Sequence, residues 1–150
     1  MAYNLLKGKR GIITGALDNN SIAWKVAQKC FDEGAAITLS NAPIALRMGK
    51  INELAAACNA EVVGADATSM EDLTKLYQRA MEIHGGKIDF VLHSIGMSLN
   101  VRKGKHYTEI DYAHNLKTFE ISSMSLHRVL ACCMKNDAIN DWGSVIALSY

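Results

Sequence analysis

The segment from Arg10 to Ala23 constrains the fold of this chain more than any other stretch. A short apolar run, Gly11–Thr14, leads to Gly15, then to a polar loop, and then to Ser21, where an amphipathic pattern begins. This order is typical of a first β-strand that passes through a phosphate-binding turn into a helix. Such a turn presents backbone N–H groups and the positive end of a helix dipole to an anion. The segment therefore predicts an anion-binding site after the first strand.

Five apolar runs, each bounded by polar residues or glycine, predict the strands of a parallel sheet. They are Gly11–Thr14, Ala35–Ser40, Glu61–Gly64, Ile88–His93 and Ser144–Ser149. Helical patterns lie between them, at Ser21–Glu33, at Ile44–Asn59, from Ser69 to the Gly85-Gly86 pair, and from Glu109 to Lys135, where one long helix follows a shorter one. This alternation predicts an α/β fold, a Rossmann-like doubly wound parallel sheet with helices on both faces. We interpret residues 1–150 as one dinucleotide-binding domain.

The composition argues against several classes of function. The 150 residues are 49% hydrophobic, enough for about one domain with a buried core. A net charge of +1 gives no general attraction to nucleic acid or to a membrane surface. No apolar run approaches the roughly 18 residues of a membrane-spanning helix, and the N-terminus lacks a signal-peptide layout. The cysteines show no metal-ligand spacing, so we expect no metal site and reduced thiols in a cytoplasmic protein. They are Cys30, Cys58, Cys132 and Cys133.

Small or polar residues follow each predicted strand, where a dinucleotide would bind. Gly15 permits a tight turn, and Ser21 can cap the helix, donate to a phosphate oxygen, or both. Ser40-Asn41-Ala42, after the second strand, is neutral where many NAD enzymes have a carboxylate. Asp66-Ala67, after the third, can accept from an adenine amino group or simply begin the next helix. The small residues of His93-Ser94-Ile95-Gly96, after the fourth, let the backbone approach a ribose or nicotinamide.

Together these motifs resemble the enoyl-[acyl-carrier-protein] reductases of bacterial type II fatty-acid synthesis, of the NADH-using FabI type. These enzymes are divergent short-chain dehydrogenases/reductases. The resemblance extends from Leu6 to Tyr150 and depends on four features: Gly15-x5-Ser21-Ile22-Ala23, Asp66, His93-Ser94-Ile95-Gly96 and Leu148-Ser149-Tyr150. Other members of the superfamily carry Gly-x3-Gly-x-Gly in the first of these places and an Asn-Asn-Ala-Gly type motif in the third.

The resemblance implies which residues form the site. Ser98 would lie near the acyl substrate, and Tyr150 would be the first of two active-site tyrosines, which makes it the candidate catalytic residue. NADH is the implied cofactor. NADPH stays open, because neither an acid that would repel a 2′-phosphate nor a basic cradle for one follows the second strand. The residues implied to contact the dinucleotide are Gly15, Ser21, Ile22, Ala42 (where the family often has glutamine), Asp66, Ala67, Ser94, Ile95 and Gly96.

The implied reaction is hydride transfer to the β-carbon of a trans-2-enoyl thioester on acyl carrier protein, followed by protonation of the α-carbon. In the family a tyrosine hydroxyl stabilises the enolate oxygen, an interaction that is stronger in the transition state than in the ground state. That tyrosine and a cofactor-binding lysine lie downstream of Tyr150. We therefore expect this chain to be the N-terminal part of a longer enzyme, to lack the last strands of the sheet, and to be inactive alone. The complete enzyme is expected to be a homotetramer.

Several alternatives stay open at this point. The chain is also compatible with a short-chain reductase that acts on a carbonyl, or with a dinucleotide-binding module without catalysis. A tyrosine and a lysine in the continuation would favour an enzyme. His93 is either a structural histidine at a buried strand end or a general acid, and we favour the structural role. The basic run Arg102–His106 is either a solvated loop or a docking patch for an acidic acyl carrier protein.

Overall fold

The computed structural model describes residues 2–149, and the structural statements below concern these residues. Five strands form one sheet in the order β3-β2-β1-β4-β5, and every neighbouring pair is parallel. The strands are β1 (Arg10–Thr14), β2 (Ala36–Asn41), β3 (Glu61–Gly64), β4 (Ile88–His93) and β5 (Ile139–Ala147). The predicted α/β class and parallel sheet are confirmed.

Seven α-helices connect or follow these strands. They are α1 (Ile22–Asp32), α2 (Pro43–Met48), α3 (Ile51–Ala57), α4 (Met70–His84), α5 (Leu99–Arg102), α6 (Tyr112–Phe119) and α7 (Ser125–Lys135). A 3₁₀ turn, Tyr107–Glu109, precedes α6, and a π turn, Glu120–Met124, joins α6 to α7. The ends of α4 follow local chemistry: Ser69 Oγ accepts from Asp72 N at 3.2 Å, and Gly85 takes the left-handed conformation after the last turn.

The single helix predicted over Ile44–Asn59 is wrong, because the structure divides it into α2 and α3. The chain becomes extended at Gly49, and Lys50 N donates to Leu17 O at 2.8 Å, so the break brings the backbone onto the loop after β1. A Cβ on Gly49 would lie only 2.6 Å from that same carbonyl oxygen. A long-range contact therefore overrides the helical periodicity.

The last strand also differs from the prediction. β5 begins at Ile139, five residues before the predicted Ser144, and it has a bulge where it pairs with β4.

Each face of the sheet has its own apolar core, as a doubly wound fold requires. Ile12 and Ile13 are adjacent in β1 and point to opposite faces, and both are almost fully buried. Ile13 packs in a cluster with residues of α1 and α3, including Trp24 and Leu54. Ile12 packs with residues of α4 and α7, including Tyr77. The prediction of helices on both faces is confirmed.

The sheet has a topological switch point between β1 and β4. The chain passes from β1 to β2 and β3 on one side, then crosses to β4 and β5 on the other. In open α/β sheets, this arrangement leaves a crevice at the carboxyl ends of the two central strands, where ligands bind. Within residues 2–149, no helix is long and apolar enough to cross a membrane.

Candidate functional site

Gly15 brings the loops after β1 and β4 into direct contact. Its φ is +88°, which a residue with a side chain rarely adopts, and its N–H donates to Ser40 O at 2.9 Å. A Cβ at this position would collide with the carbonyl oxygen of Ser94. Thr14 reinforces the contact, because its Oγ1 donates to Leu92 O at 2.8 Å and accepts from Ser94 N at 3.4 Å. Glycine is therefore required here by both conformation and packing.

Ser21 closes the loop between β1 and α1. Its Oγ accepts from Leu17 N at 3.1 Å and from Asp18 N at 3.3 Å, and it donates to Asp18 O at 2.5 Å. Ser21 occupies the N-cap position, but its side chain makes no cap hydrogen bond, so the alternative that it serves only as a side-chain cap is wrong. The hydroxyl proton is engaged within the loop, and its contact with a phosphate stays a prediction. Ile22, 62% exposed, begins α1.

Asn41 ties the end of β2 to the loop after β1, a role that the sequence did not indicate. Its Nδ2 donates to Ala16 O at 2.9 Å, and its Oδ1 accepts from Ala42 N at 2.9 Å. The amide thus occupies the place where a ribose-binding carboxylate stands in many NAD enzymes. Ala42 then leads directly into α2, whose second residue, Ile44, is largely exposed.

Asp66 lies after β3, at the outer side of the sheet. Its Oδ1 accepts from both the N–H and the hydroxyl of Thr68 at 2.8 Å, which forms a local turn before α4. The carboxylate is exposed, while Ala67 is 7% exposed. Ser69, rather than Asp66, caps the helix. The assignment of Asp66 and Ala67 to the adenine therefore stays a prediction.

A small cleft of about 180 Å³ lies at the switch point. It brings together four of the predicted cofactor residues, while Ser21, Ile22, Ala42, Asp66 and Ala67 do not line it. Arg102, an exposed residue at the end of α5, also borders the cleft and was not among the predicted cofactor residues. The lining comprises Gly15, Leu17, Asn41, Ile44, Ala45, Met48, Ser94, Ile95, Gly96 and Arg102.

A larger cavity of about 800 Å³ adjoins the cleft and shares Ile95, Gly96 and Arg102 with it. Its other walls come from α5, α6, the π turn and the residues after β5. Ser98, predicted near the substrate, lines this cavity and also caps α5, where its Oγ accepts from Val101 N at 3.3 Å. Tyr150, the predicted catalytic residue, lies outside the described residues.

His93 lies at the floor of the larger cavity and is 2% exposed. Its Nε2 is 2.8 Å from Ser125 Oγ, and Ser125 donates its single hydroxyl proton to Ile121 O at 2.6 Å. The serine oxygen must then accept from His93 Nε2–H. Burial lowers the pKa of His93, which favours this neutral form. The geometry supports the structural interpretation of His93 over that of a general acid.

The cysteines lie away from these clefts and are free thiols. Burial raises the pKa of Cys30, Cys58 and Cys133, which keeps these sulfurs protonated and unreactive. Within residues 2–149, no three His, Cys, Asp or Glu side chains lie close enough together to hold a metal ion.

The charge of the two clefts is compatible with an anionic ligand. No acidic side chain among the described residues lines either of them, and Arg102 is the charged group common to both. Leu17, which lines the cleft, donates its N–H to Ser21 Oγ at the start of α1, so the favourable end of this helix dipole lies next to the cleft. Asn41, the neutral residue at the end of β2, places no charge beside the cleft.

Comparison with known proteins gives a consistent result. The sequence model of the family described as "Enoyl-(Acyl carrier protein) reductase" matches residues 15–150. The "Enoyl-[acyl-carrier-protein] reductase [NADH] 1" of Rhizobium meliloti is 33% identical over 99% of this chain, and the "Enoyl-[acyl-carrier-protein] reductase [NADH] FabI" of Rickettsia bellii is 34% identical over all of it. The chain spans about half the length of these relatives, 54% and 56% respectively.

Solved structures show the same similarity. The FabI–NADH complex from Alistipes finegoldii matches with a TM-score of 0.95 at 57% identity, over 99% of this chain and 52% of that one. The enoyl-[acyl-carrier-protein] reductase (NADH) from Aquifex aeolicus matches with a TM-score of 0.82 at 26% identity, over 97% of this chain and 56% of that one.

Proposed function

Because this chain belongs to the enoyl-(acyl carrier protein) reductase family, we propose that the protein containing it reduces trans-2-enoyl thioesters of acyl carrier protein with NADH. The observation that carries the proposal is the junction of Gly15 with Ser94 in the cleft at the switch point, which shares Ile95 and Gly96 with the larger cavity beside it. A dinucleotide in the cleft would present its reactive end toward a substrate in the cavity.

The chain's own residues bind and orient the reactants. The Gly15 turn and the N-terminus of α1 would hold the pyrophosphate, and Ile95 and Gly96 the nicotinamide ribose. The bound nicotinamide supplies the hydride. The cavity beside Ser98 would align the enoyl β-carbon and limit access of water, which lowers the entropic part of the barrier.

Cofactor preference is proposed from the end of β2. A 2′-phosphate needs a cationic partner, whereas Ser40, Asn41 and Ala42 are neutral. Arg47, on α2, lines neither cleft. The names of the relatives specify NADH. We therefore propose that the protein uses NADH rather than NADPH. The homotetrameric state and the cytoplasmic location of the complete protein stay predictions.

The test uses the complete protein that contains this chain. NADH oxidation is followed by loss of its near-ultraviolet absorbance with a trans-2-enoyl thioester of acyl carrier protein, and separately with a β-ketoacyl thioester. We expect turnover with the enoyl substrate alone. Turnover with the β-ketoacyl substrate instead would favour a carbonyl reductase. Tight NADH binding with no turnover on either would favour a binding module.

A further inference from the structure

The helical segment from Tyr112 to Lys135 changes its hydrogen-bonding pattern in the middle. Residues Glu120–Met124 form a π turn between α6 and α7. Such turns widen the helix by one residue, are rare, and occur frequently at functional sites. Ser122 and Ser123, both in this turn, line the larger cavity. Because the π turn places these serines in the cavity wall, their hydrogen bonds bear on the shape of the cavity.

Ser122 forms hydrogen bonds with both the backbone N–H and the backbone carbonyl of Met97, in the loop after β4. Its Oγ accepts from Met97 N at 3.0 Å and donates to Met97 O at 3.2 Å. A hydroxyl can satisfy both roles because it carries one donor and two acceptor lone pairs. Met97 follows Gly96 directly, so this pair of bonds fixes the backbone next to the predicted nicotinamide-ribose contact.

The opposite end of the same loop is attached to the same turn. His93, the last residue of β4, donates to Ser125 Oγ, and Ser125 donates to Ile121 O within the π turn. The loop Ser94–Ser98 is thus anchored to one helical turn at both ends. Between the two anchors lie Ile95 and Gly96, which line both the cleft and the cavity.

We propose that Ser122 is a positioning residue for the Ser94–Ser98 loop, which it holds in the conformation that binds the nicotinamide half of the cofactor. It acts through Met97, whose N–H lies 3.0 Å and whose carbonyl oxygen lies 3.2 Å from Ser122 Oγ. The role toward the cofactor rests on the proposed function. The anchoring of the loop is a property of the protein without any ligand.

The variant Ser122→Ala removes both bonds, and Ser123→Ala is the matched control. Ser123 lies in the same turn and lines the same cavity, and its hydroxyl makes no hydrogen bond to any residue of the Ser94–Ser98 loop. Ser122→Thr keeps a hydroxyl and serves as the conservative rescue. All three are made in the complete protein, and their melting temperatures report whether they fold.

The first readout is amide hydrogen exchange of peptides covering residues 94–98, without ligand. We expect exchange about tenfold faster in Ser122→Ala, as for the loss of about one buried hydrogen bond, and unchanged exchange in Ser123→Ala. Equal exchange in the two variants would overturn the anchoring.

The second readout is the Kd for NADH at a temperature where every variant is folded, together with kcat and KM. We expect Ser122→Ala to weaken NADH binding about tenfold and Ser122→Thr to recover most of it. Faster loop exchange with an unchanged Kd would overturn the role toward the cofactor and leave the proposed function intact. Failure of the unsubstituted protein to bind NADH would overturn both.

Discussion

Single residues at the ends of β1 and β4 set how closely the two loops at the cleft of the switch point approach each other. Gly15 has a positive φ and lies against the Ser94 carbonyl, so its missing side chain is part of the contact surface. His93 lies just before that contact and is held neutral by burial and by its bond to Ser125. Gly15 and His93 can each be tested by a separate substitution.

Substitution Gly15→Ala is expected to destabilise the protein by at least about 2 kcal/mol and to weaken NADH binding at least tenfold. The left-handed φ alone costs about 1–2 kcal/mol for a residue with a Cβ, and the collision with Ser94 O adds to it. Urea unfolding and an NADH titration measure the two effects.

Gly85→Ala is the matched control for this substitution. Gly85 also has a positive φ, 67°, but nothing lies within 4 Å of an added Cβ. Gly85→Ala should lower the free energy of unfolding by about 1–2 kcal/mol, the cost of the left-handed φ alone, and should bind NADH normally. Similar NADH affinities in the two variants would contradict the proposed role of the Gly15–Ser94 contact.

We expect the buried imidazole of His93 to lower the free energy of unfolding in mild acid. Burial lowers its folded-state pKa below the ordinary value near 6.5, so the unfolded chain takes up the proton first. Stability is therefore lost as pH falls from about 6.5 toward the folded pKa, by at most about 1.4 kcal/mol per pH unit. His84 has a lowered pKa for the same reason and contributes separately.

The variant His93→Gln retains an N–H donor and removes the titration. The free energy of unfolding, measured in urea at pH 7.0 and about 5.5, should fall less in this variant than in the unsubstituted protein. Equal pH dependence in both proteins would show that His93 is not held neutral by the fold.

At the scale of elements, the connection between α5 and α6, residues 103–111, together with Arg102 carries the densest basic run of the chain. It is held at its base, because Asn100 Nδ2 donates to Asp111 O and Asp111 N donates to Asn100 Oδ1, both at 3.0 Å. Arg102 lines the larger cavity, and the residues Lys103–His106 that follow it are exposed. A basic loop that is anchored at its base and begins at a residue of the cavity lining agrees with the hypothesis of a docking patch for an acidic carrier.

Charge reversal of this loop tests the docking hypothesis. The double variant Lys103→Glu/Lys105→Glu should raise the KM for an enoyl thioester on acyl carrier protein about tenfold, with little change for the coenzyme A thioester. Steady-state kinetics at low and high salt measure this difference, which should shrink at high salt. An equal rise in KM for both substrates would contradict docking.

A double variant with the same change of charge controls for the overall field. Lys7→Glu/Lys135→Glu places the substitutions just before β1 and at the end of α7, on the side of the sheet where the strands begin. This variant should change neither KM by more than about twofold, because charges beyond a Debye length of about 8 Å are largely screened.

At the scale of the whole molecule, Glu33 ties the start of the chain to the end of α1. Glu33 is 4% exposed, and its carboxylate accepts from Lys29 Nζ at 2.8 Å, from Tyr3 N at 2.8 Å and from Leu5 N at 3.3 Å. The Lys29 ammonium and these two N–H groups lower the pKa of Glu33. Its contribution to stability is thus present above the ordinary carboxyl pKa, near 4.3, and is lost as pH falls through the folded pKa.

Substitution Glu33→Gln should therefore lower the melting temperature by a few degrees at pH 7, and the difference should narrow in acid below about pH 4. Thermal unfolding followed by circular dichroism at both pH values measures it. Glu53→Gln, at an exposed carboxylate 3.8 Å from Lys50 Nζ, is the control and should change little. If Glu33→Gln lowers the melting temperature equally at both pH values, the stabilisation does not come from the charged carboxylate of Glu33.

The sequence by itself determined the alternation of strands and helices, the α/β class and the family motifs around Gly15 and His93–Gly96. These features follow from hydrophobic period and turn chemistry within a few residues. Tertiary structure decided the break after Met48, the hydroxyl direction of Ser21, and the place of Arg102 on both clefts. It also decided the bonds between Ser122 and Met97, because contacts between segments 25 residues apart depend on how the packed strands and helices meet.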